Sequence, residues 1–475
     1  MNYPARKTLF IVCFLIFIIF CPIILAYSLG YYFDFNNKKI ISTGAIRLKS
    51  IPEQSLIYVN NSLRGERTPA YLNNLQTGEY KIKVEKENFT NWEKTLLVKD
   101  YYLTAADDIL LLPLNPLPET IFENSQNFSS ATIILSPNKK FGLAISPQET
   151  EKQLGAINLS INEISIVSRV DNSLKLIEIN ENAIEWSANQ ENFAFWSLLD
   201  NGKSGISVWI QKEKQVRFAY EISKENLKKI AWHNENNQIL AVLNQNGIIN
   251  LLNLENGKFS SLNLDAIDFT FYENKIYYIN RQNGLVYSVL DPWSAPFENF
   301  NSSELKTQFT KTASPEFSPE KNYRISALTD ERFLLFEDNI LYLVDNKNGL
   351  IKIHEDAKSV DIFEKNKMLI HSNHTIDFLD ISKIKNSSAP KNELIVRAEK
   401  QIKKAMWFNG HHIAYLLEDG NFYITELIYY NGRNTIAPLK DSIENFWINQ
   451  EIFQNYPISY FASEGKLWKI DWNLE

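Results

Sequence analysis

One phrase recurs along the C-terminal three quarters of this sequence: an aromatic or apolar residue, a small polar turn and an apolar strand. The eight copies begin at Leu135, Trp186, Trp232, Phe271, Phe317, Phe363, Trp407 and Trp447. Consecutive copies are separated by roughly 40 to 50 residues, a length that is typical of one supersecondary unit in a repeat fold. The chain must therefore fold as an array of similar small units.

Residues 317–353 show what one unit contains. Four apolar runs of strand length are separated by short polar breaks, at Tyr323 to Leu328, Phe333 to Phe336, Ile340 to Val344 and Leu350 to Ile353. The last break contains Asn348-Gly349, a dipeptide that favours tight hairpins. Four short antiparallel strands per unit are typical of a β-propeller blade. We predict a β-propeller over residues 121–475 with seven or eight blades; the copies count to eight, and a degenerate terminal copy would make seven.

Hairpin dipeptides support strands rather than helices in this region, because Asn tolerates positive φ and Gly has no Cβ to clash. Asn-Gly or Asp-Gly begins at Asn201, Asn246, Asn256, Asn283, Asn348, Asn409, Asp419 and Asn431. A ring must also be closed. We expect residues Thr120 to Phe122 to pair with the strand Lys466 to Trp472.

Two turns carry a family resemblance. Residues 136–140 (SPNKK) and 318–322 (SPEKN) resemble the Ser-Pro-Asp-Gly-Lys turn of the WD40-like repeats of bacterial propellers. The other copies keep the pattern without these letters, and the eukaryotic Gly-His and Trp-Asp signatures are missing. The resemblance implies a propeller fold and leaves its ligand open.

The N-terminal segment Leu9 to Leu29 is apolar and uncharged, and about 20 such residues cross a bilayer as a helix. Arg6 and Lys7 precede it, so the positive-inside bias predicts a cytoplasmic N-terminus and an extracytoplasmic chain beyond it. We expect residues 1–33 to form a cytoplasmic stub and a retained single-pass anchor. A cleaved signal peptide is the alternative, and a buried core helix is a third possibility.

Residues near the end of this segment suit a membrane boundary. Tyr27, Tyr31, Tyr32 and Phe33 are expected to form an aromatic belt at the outer interface. The two cysteines of the chain, Cys13 and Cys21, both lie within the apolar segment. A disulfide within the remaining chain, or zinc held there by cysteine, is therefore excluded.

Residues 40–114 have a different texture, with short alternating runs between turn residues, and predict a small antiparallel β-sandwich. Residues 115–120 are proline-rich and are expected to be a stiff linker. The small domain resembles the PEGA family over about 70 residues. The matching residues are Gly44, Pro52, Ile57, Tyr58, Val59, Asn60, Gly65, Thr68, Pro69, Leu72, Leu75, Gly78, Glu79, Tyr80, Ile82, Val84, Phe89 and Trp92.

The PEGA resemblance implies an extracytoplasmic β module without enzymatic activity, often found in envelope proteins. The tetrapeptide that names the family is absent, and residues 65–68 (GERT) stand near its place. We expect the module to act as a spacer that holds the propeller off the membrane. Its aromatic residues Tyr80, Phe89 and Trp92 are interpreted as core residues rather than a sugar platform.

Catalytic and cofactor motifs are missing from the sequence: no nucleophile elbow, phosphate loop or dinucleotide fingerprint occurs. The net charge of −7 lacks the basic footprint of a nucleic-acid binder. His371 and His374 are placed in one predicted strand, where residues three apart face opposite ways. We interpret the six histidines as surface or turn residues, Asp345 to Gly349 as a hairpin turn rather than a calcium loop, and adjacent Asp107 and Asp108 as facing apart.

These observations predict that the chain is not an enzyme and holds no metal or cofactor. The repeat-phased tryptophans are interpreted as packing between blades. Trp293 lies in a proline-bounded stretch (DPWSAPF) and is the candidate for contact with a partner. The leading hypothesis is an envelope scaffold that binds a protein partner through a propeller face. A cell-wall or surface-glycan binder is the alternative, and a propeller hydrolase or lyase is the third.

Overall fold

The computed structural model consists mainly of β-strands, with one apolar helix at the N-terminus. It describes residues 3–28, 31–34, 39–122, 132–146, 152–159, 163–167, 169–171, 173–273, 275–284, 286–290, 307–308, 318, 320–329, 332–345, 349–364, 366–384, 390–428, 432–440, 442–449 and 456–472. The mainly β architecture expected from the sequence is confirmed.

Helix α1 (Tyr3–Ser28) contains Pro22 and carries the apolar segment. Its window Leu9–Ala26 has a mean hydropathy of 3.3 and is not buried against the rest of the chain. The helix is therefore long and apolar enough to be a membrane anchor or a signal sequence. A hairpin of β1 (Tyr31–Asp34) and β2 (Lys39–Ser42) follows it.

The small domain consists of two sheets whose inward residues form one core. The first has the order β5 (Ser62–Arg67), β4 (Leu56–Val59), β7 (Gly78–Glu85), β8 (Trp92–Val98), and the second β6 (Ala70–Leu75), β3 (Gly44–Ile51), β9 (Leu103–Leu110). Alternate residues of β3, such as Ile46 and Leu48, are fully buried, as expected for a sheet with one face on a core. One pairing differs from the antiparallel expectation: β3 and β9 are parallel, because the chain crosses from the other sheet before β9 begins.

The C-terminal region repeats one motif of successive antiparallel strands. Its first four sheets contain β11 (Thr132–Leu135), β12 (Phe141–Ile145), β13 (Leu154–Asn158), β14 (Glu163–Val167); β15 (Arg169–Val170), β16 (Leu174–Trp186), β17 (Phe193–Leu199), β18 (Ser204–Ile210), β19 (Gln215–Glu221); β20 (Leu227–Trp232), β21 (Ile239–Asn244), β22 (Ile248–Asn253), β23 (Phe259–Asn263); and β24 (Ala266–Tyr272), β25 (Lys275–Asn280), β26 (Val286–Leu290), β27 (Thr307–Gln308). The two-residue β15 pairs with both β16 and β19 and so closes the second sheet on itself.

The remaining sheets continue the pattern. They contain β28 (Tyr323–Ala327), β29 (Arg332–Glu337), β30 (Ile340–Asp345), β31 (Gly349–His354); β32 (Ser359–Phe363), β33 (Lys367–His371), β34 (Thr375–Asp380), β35 (Glu393–Arg397); β36 (Ile402–Asn409), β37 (His412–Leu417), β38 (Phe422–Glu426), β39 (Thr435–Ile436); and β40 (Asn445–Ile448), β41 (Ser459–Ser463), β42 (Lys466–Ile470) with β10 (Pro118–Phe122). A single 3₁₀ turn, Ile381–Lys383, is also present in this described part. The described residues thus form eight sheets in series, the architecture of a β-propeller.

The ring is closed by strands from opposite ends of the region. β10 pairs antiparallel with β42, with Thr120 opposite Trp468 and Phe122 opposite Leu467. The pairing expected from the sequence is confirmed. The last sheet takes its outer strand from the N-terminal side, which joins the two ends of the ring through backbone hydrogen bonds.

The four runs in residues 317–353 form one sheet, as predicted. The phase of one repeat copy is wrong, however. The other aromatic residues that open the phrase lie within the last three residues of a strand (β16, β20, β24, β32, β36 or β40), as Trp232 ends β20. Phe317 instead precedes β28, the first strand of its sheet. Phe317 itself lies outside the described residues. The apolar strand of the Phe317 copy is therefore the first strand of its sheet, whereas the apolar strand of the Trp232 copy is the second. Similar sequence copies thus occupy different positions in the sheets.

Repeat-phased tryptophans link neighbouring sheets. Trp232 Nε1 donates to Glu185 O at 3.0 Å, and Trp407 Nε1 donates to Asp361 O at 3.3 Å. Each bond joins the first strand of one sheet to the first strand of the sheet before it. Both indoles are buried, so these side chains combine apolar packing with a satisfied polar group.

The small domain and the propeller share a buried junction. Glu426 of β38 accepts a hydrogen bond from Trp92 Nε1 at 2.5 Å and forms an ion pair with Lys94. The Tyr456 hydroxyl donates to Leu111 O at 2.6 Å. Leu112 packs into the apolar cluster of the last two sheets. Because a buried charge is costly without its partner, this ion pair holds the two domains in one arrangement.

Candidate functional site

A cavity with a volume of about 1280 Å³ lies within the ring of the propeller, and we call it the propeller channel. Its wall is built by one strand from each of four consecutive sheets: β16, which is the first long strand of its sheet after the two-residue β15, and the first strands β20, β24 and β28. First strands line the axis of a propeller, and their alternate residues face the channel. The channel therefore displays side chains from distant parts of the sequence on rigid strands.

One end of the channel is cationic. Lys228 lies near the start of β20, and Arg281 follows β25. Arg281 Nη2 donates to Gln245 O at 2.6 Å, and its guanidinium lies 3.5 Å from Asp265. Burial, together with the nearby Arg281 charge, lowers the pKa of Lys228. An ammonium under such repulsion favours an anionic group beside it.

The other end is aromatic. Trp186, Trp232 and Phe271, at the ends of their first strands, line the cavity there. Glu185 lies beside them and is reached by solvent in the channel, but the surrounding walls partly desolvate its carboxyl and raise its pKa to about 7, against the opposing effect of Lys229. This carboxyl therefore changes its charge near neutral pH.

Between the two ends, the wall is held by polar contacts across sheets. Asp268 accepts from Lys229 Nζ at 2.8 Å and from the backbone N–H of Ile325 at 2.7 Å. The Arg324 guanidinium lies 4.5 Å from the centre of the Phe336 ring. Asp268 thus joins three consecutive first strands, and Arg324 remains exposed to the channel.

Two lysines of this wall are engaged by carboxylates. Lys229 pairs with Asp268 of the wall, and Lys321 pairs with Glu337 of β29. Within the described residues, no group of three or more His, Cys, Asp or Glu side chains is arranged to hold a metal ion. The channel offers hydrogen bonds, charges and ring edges to an inserted segment.

The candidate contact residue Trp293 lies outside the described residues. So do residues 346–348 of the expected hairpin turn, whose flanking Asp345 binds Arg332 Nε at 2.7 Å. Asp107 and Asp108 face apart as predicted: Asp107 binds Arg47 of the small domain, and Asp108 lies 3.1 Å from His411 of the propeller.

Two interpretations of the histidines are wrong. His371 ends β33, whereas His374 lies in the turn after it, so the pair does not share a strand. His371 and His412 are buried rather than on the surface, because each occupies an inward position of a central strand. Burial lowers the pKa of His412 to about 3, and its Nδ1 bonds Asn409 Oδ1 at 3.0 Å.

Sequence reasoning missed the channel residues Glu185, Lys228 and Arg324. The sequence did contain a signal for these residues, because each is a charged residue within or next to the apolar pattern of a strand that lines the channel. Recognising it requires knowing which strand of each sheet is first. The displaced Phe317 copy shows that the repeat phrase does not supply this information.

A comparison with known protein families supports the assignment of the small domain. The PEGA domain model matches residues 43–107, which span the two sheets of that domain. No curated protein matches the sequence. The family match therefore shows a PEGA domain at the position of the small domain.

Solved structures with a similar chain path cover three quarters of this chain. They include Saccharomyces cerevisiae Sqt1 (12% identity, 75% of this chain and 98% of that chain, TM-score 0.47) and BamB from Moraxella catarrhalis (10%, 75% and 100%, 0.44). The Myceliophteria thermophila Cps50 (Swd1) β-propeller domain is another (12%, 75% and 99%, 0.39). The propeller assignment rests on the eight sheets and their closure.

Proposed function

We propose that this chain is a membrane-anchored protein of the bacterial cell envelope that binds a protein partner through the propeller. Helix α1 is retained as a single anchor, with the N-terminus in the cytoplasm and both β domains outside. The positive charges of Arg6 and Lys7, which precede the apolar window Leu9–Ala26, support this orientation. The small domain connects the anchor to the propeller.

The channel is the observation that carries the proposal. Lys228, the aromatic end and the exposed Arg324 are presented by strands, and Arg281 is presented by the turn that follows β25. Pre-organised side chains bind at a lower entropic cost than mobile ones. The Lys94–Glu426 pair supports a scaffold role, because it couples the propeller to its support through buried contacts.

A protein partner is favoured over a glycan by the burial of the aromatic end. Sugar stacking needs an exposed ring face, whereas Trp232 is only 7% exposed. A non-catalytic role is favoured because Lys229 and Lys321 are already paired with carboxylates. Binding to purified cell wall would restore the glycan alternative.

Site-specific photo-crosslinking in the native envelope tests the proposal. A photoreactive residue at Ser326, exposed at the channel wall, is compared with one at Phe259, exposed on the outer strand β23. We expect a discrete protein adduct from position 326 and none from position 259. Equal adducts at both positions, or none at position 326, would contradict binding through the channel.

A further inference from the structure

The turn between β8 and β9 of the small domain exposes three consecutive large side chains. Tyr101, Tyr102 and Leu103 are 55%, 69% and 47% exposed. Leu97 of β8 lies beside them and is also exposed, with its carbonyl accepting from Thr104 Oγ1. A contiguous apolar surface of this kind marks an interaction site rather than ordinary solvent contact.

This turn is fixed against the hairpin that follows α1. The Tyr101 ring lies 5.4 Å from the Tyr31 ring, edge to face. Tyr101 N donates to Thr43 O at 3.0 Å, and Ala45 N donates to Tyr102 O at 3.1 Å. The turn is therefore held by backbone bonds in one place beside the hairpin.

The hairpin itself lies close to the end of the apolar helix. Three peptide steps separate Ser28, the last helical residue, from Tyr31, which limits their Cα separation to about 11 Å. The hairpin adds its own exposed apolar residues, Tyr32, Phe33 and Ile40. We call Tyr32, Phe33, Ile40, Tyr101, Tyr102 and Leu103 the interfacial patch.

The composition of the patch suits a lipid headgroup region. Tyrosine places an apolar ring and a polar hydroxyl across that boundary. Lys39 and Lys99 are exposed next to the patch, where ammonium groups attract lipid phosphates. A helix with its apolar window ending at Ala26 places the hairpin at this depth when it spans the bilayer.

We propose that the interfacial patch rests in the headgroup layer of the membrane that holds α1. The inference depends on the retained anchor of the proposed function and adds a second membrane contact, made by the folded PEGA domain. That domain then leans on the bilayer rather than standing clear of it. The contact fixes the tilt of the domain and, through the buried junction, the direction in which the propeller faces.

Fluorescence quenching by spin-labelled lipid tests this contact in the full chain. Because both cysteines lie in α1, replacing them with serine leaves a background in which one new cysteine is unique. A polarity-sensitive fluorophore is attached at Tyr102→Cys, in nanodiscs that contain lipid with its nitroxide near the headgroup. The matched control is Leu63→Cys, which is 56% exposed on β5 of the same domain.

We expect the label at position 102 to lose most of its fluorescence and the label at position 63 to keep it. A variant that retains Cys13 as its single cysteine is labelled in the same way, and quenching of that label reports that α1 is inserted in the bilayer. Quenching of that label without quenching at position 102 overturns the membrane contact and leaves the anchor intact; quenching at neither refutes both. A blue-shifted but unquenched label at position 102 means that protein covers the patch, which also overturns the inference.

Discussion

Two lysines occupy matching places in the ring. Lys229 lies in the sequence LKKIAW of β20, and Lys404 lies in the sequence IKKAMW of β36. Each ammonium donates to a phenylalanine carbonyl on the first strand of the next sheet, Lys229 to Phe269 O at 2.6 Å and Lys404 to Phe446 O at 2.5 Å. The repeat has placed the same side chain in the same position twice.

The second partner of each lysine differs. Lys229 meets the carboxylate of Asp268 at 2.8 Å, whereas Lys404 meets the neutral amide of Asn445 at 3.0 Å. Lys404 also lies 4.6 Å from the centre of the Trp447 ring. Burial lowers its pKa to about 7. One residue on the neighbouring sheet thus decides whether a repeated lysine is paired with a charge.

Removing the Asp268 carboxylate should give the largest change in the free energy of unfolding. Asp268→Ala leaves Lys229 without its ion pair and the buried N–H of Ile325 without an acceptor, at a cost of about 3 kcal/mol in the free energy of unfolding. Denaturation of the solubilised full chain, followed by tryptophan fluorescence, measures it. Asn445→Ala at the other lysine removes only a neutral acceptor and should cost about 1 kcal/mol. Equal losses of stability in the Asp268→Ala and Asn445→Ala variants would contradict this difference between the two lysine sites.

Much of the architecture could be predicted from the sequence, because hydrophobic alternation and hairpin dipeptides act over a few residues. The period of the repeat and the strands of the small domain follow from such local patterns, whereas the ring closure through residues 120–122 is expected from the way in which propellers close. The contacts of the channel could not be predicted in this way. The Asp268–Lys229 pair joins positions 39 residues apart, and its formation depends on how neighbouring sheets are turned toward each other.

Exchanging the carboxylate and amide partners of Lys229 and Lys404 should change how strongly each ammonium is stabilised. Asn445→Asp places a carboxylate beside Lys404 and should raise both the pKa of that lysine and the free energy of unfolding at pH 7, by about 1 kcal/mol. The reciprocal variant Asp268→Asn should lower stability by a similar amount. Thermal melts at low salt compare the two variants with the parent. A destabilised Asn445→Asp protein would mean that the site excludes an anion.

The lowered pKa of Lys404 predicts that the stability of the unmodified chain depends on pH. Lys404 has a pKa of about 7 when folded, against 10.5 for an ordinary lysine. Between these values the unfolded chain binds the extra proton, so stability attributable to Lys404 rises as pH increases from 7 towards 10.5. Lys404→Met should remove this rise, which melting curves at several pH values measure. An unchanged slope would show that Lys404 remains charged in the folded chain.

The smallest effect is expected at Glu185, which lies in the channel near the paired lysine. Its folded pKa is about 7, above the ordinary 4.5, so its contribution to stability is complete below pH 4.5 and is lost as pH rises through 7. Glu185→Gln should therefore melt higher than the parent at pH 8 and nearly equal to it at pH 5.

The neighbouring carboxylate supplies the control for this effect. Burial is the main cause of the raised pKa of Glu185, and the Asp268 charge adds to it. The Glu185→Gln substitution is therefore repeated in an Asp268→Asn background, where the folded pKa of Glu185 is lower and the melting difference at pH 8 should be smaller. A difference that is independent of pH in both backgrounds would show that the Glu185 carboxyl has the same pKa in the folded and the unfolded chain, and would contradict its desolvation by the channel wall.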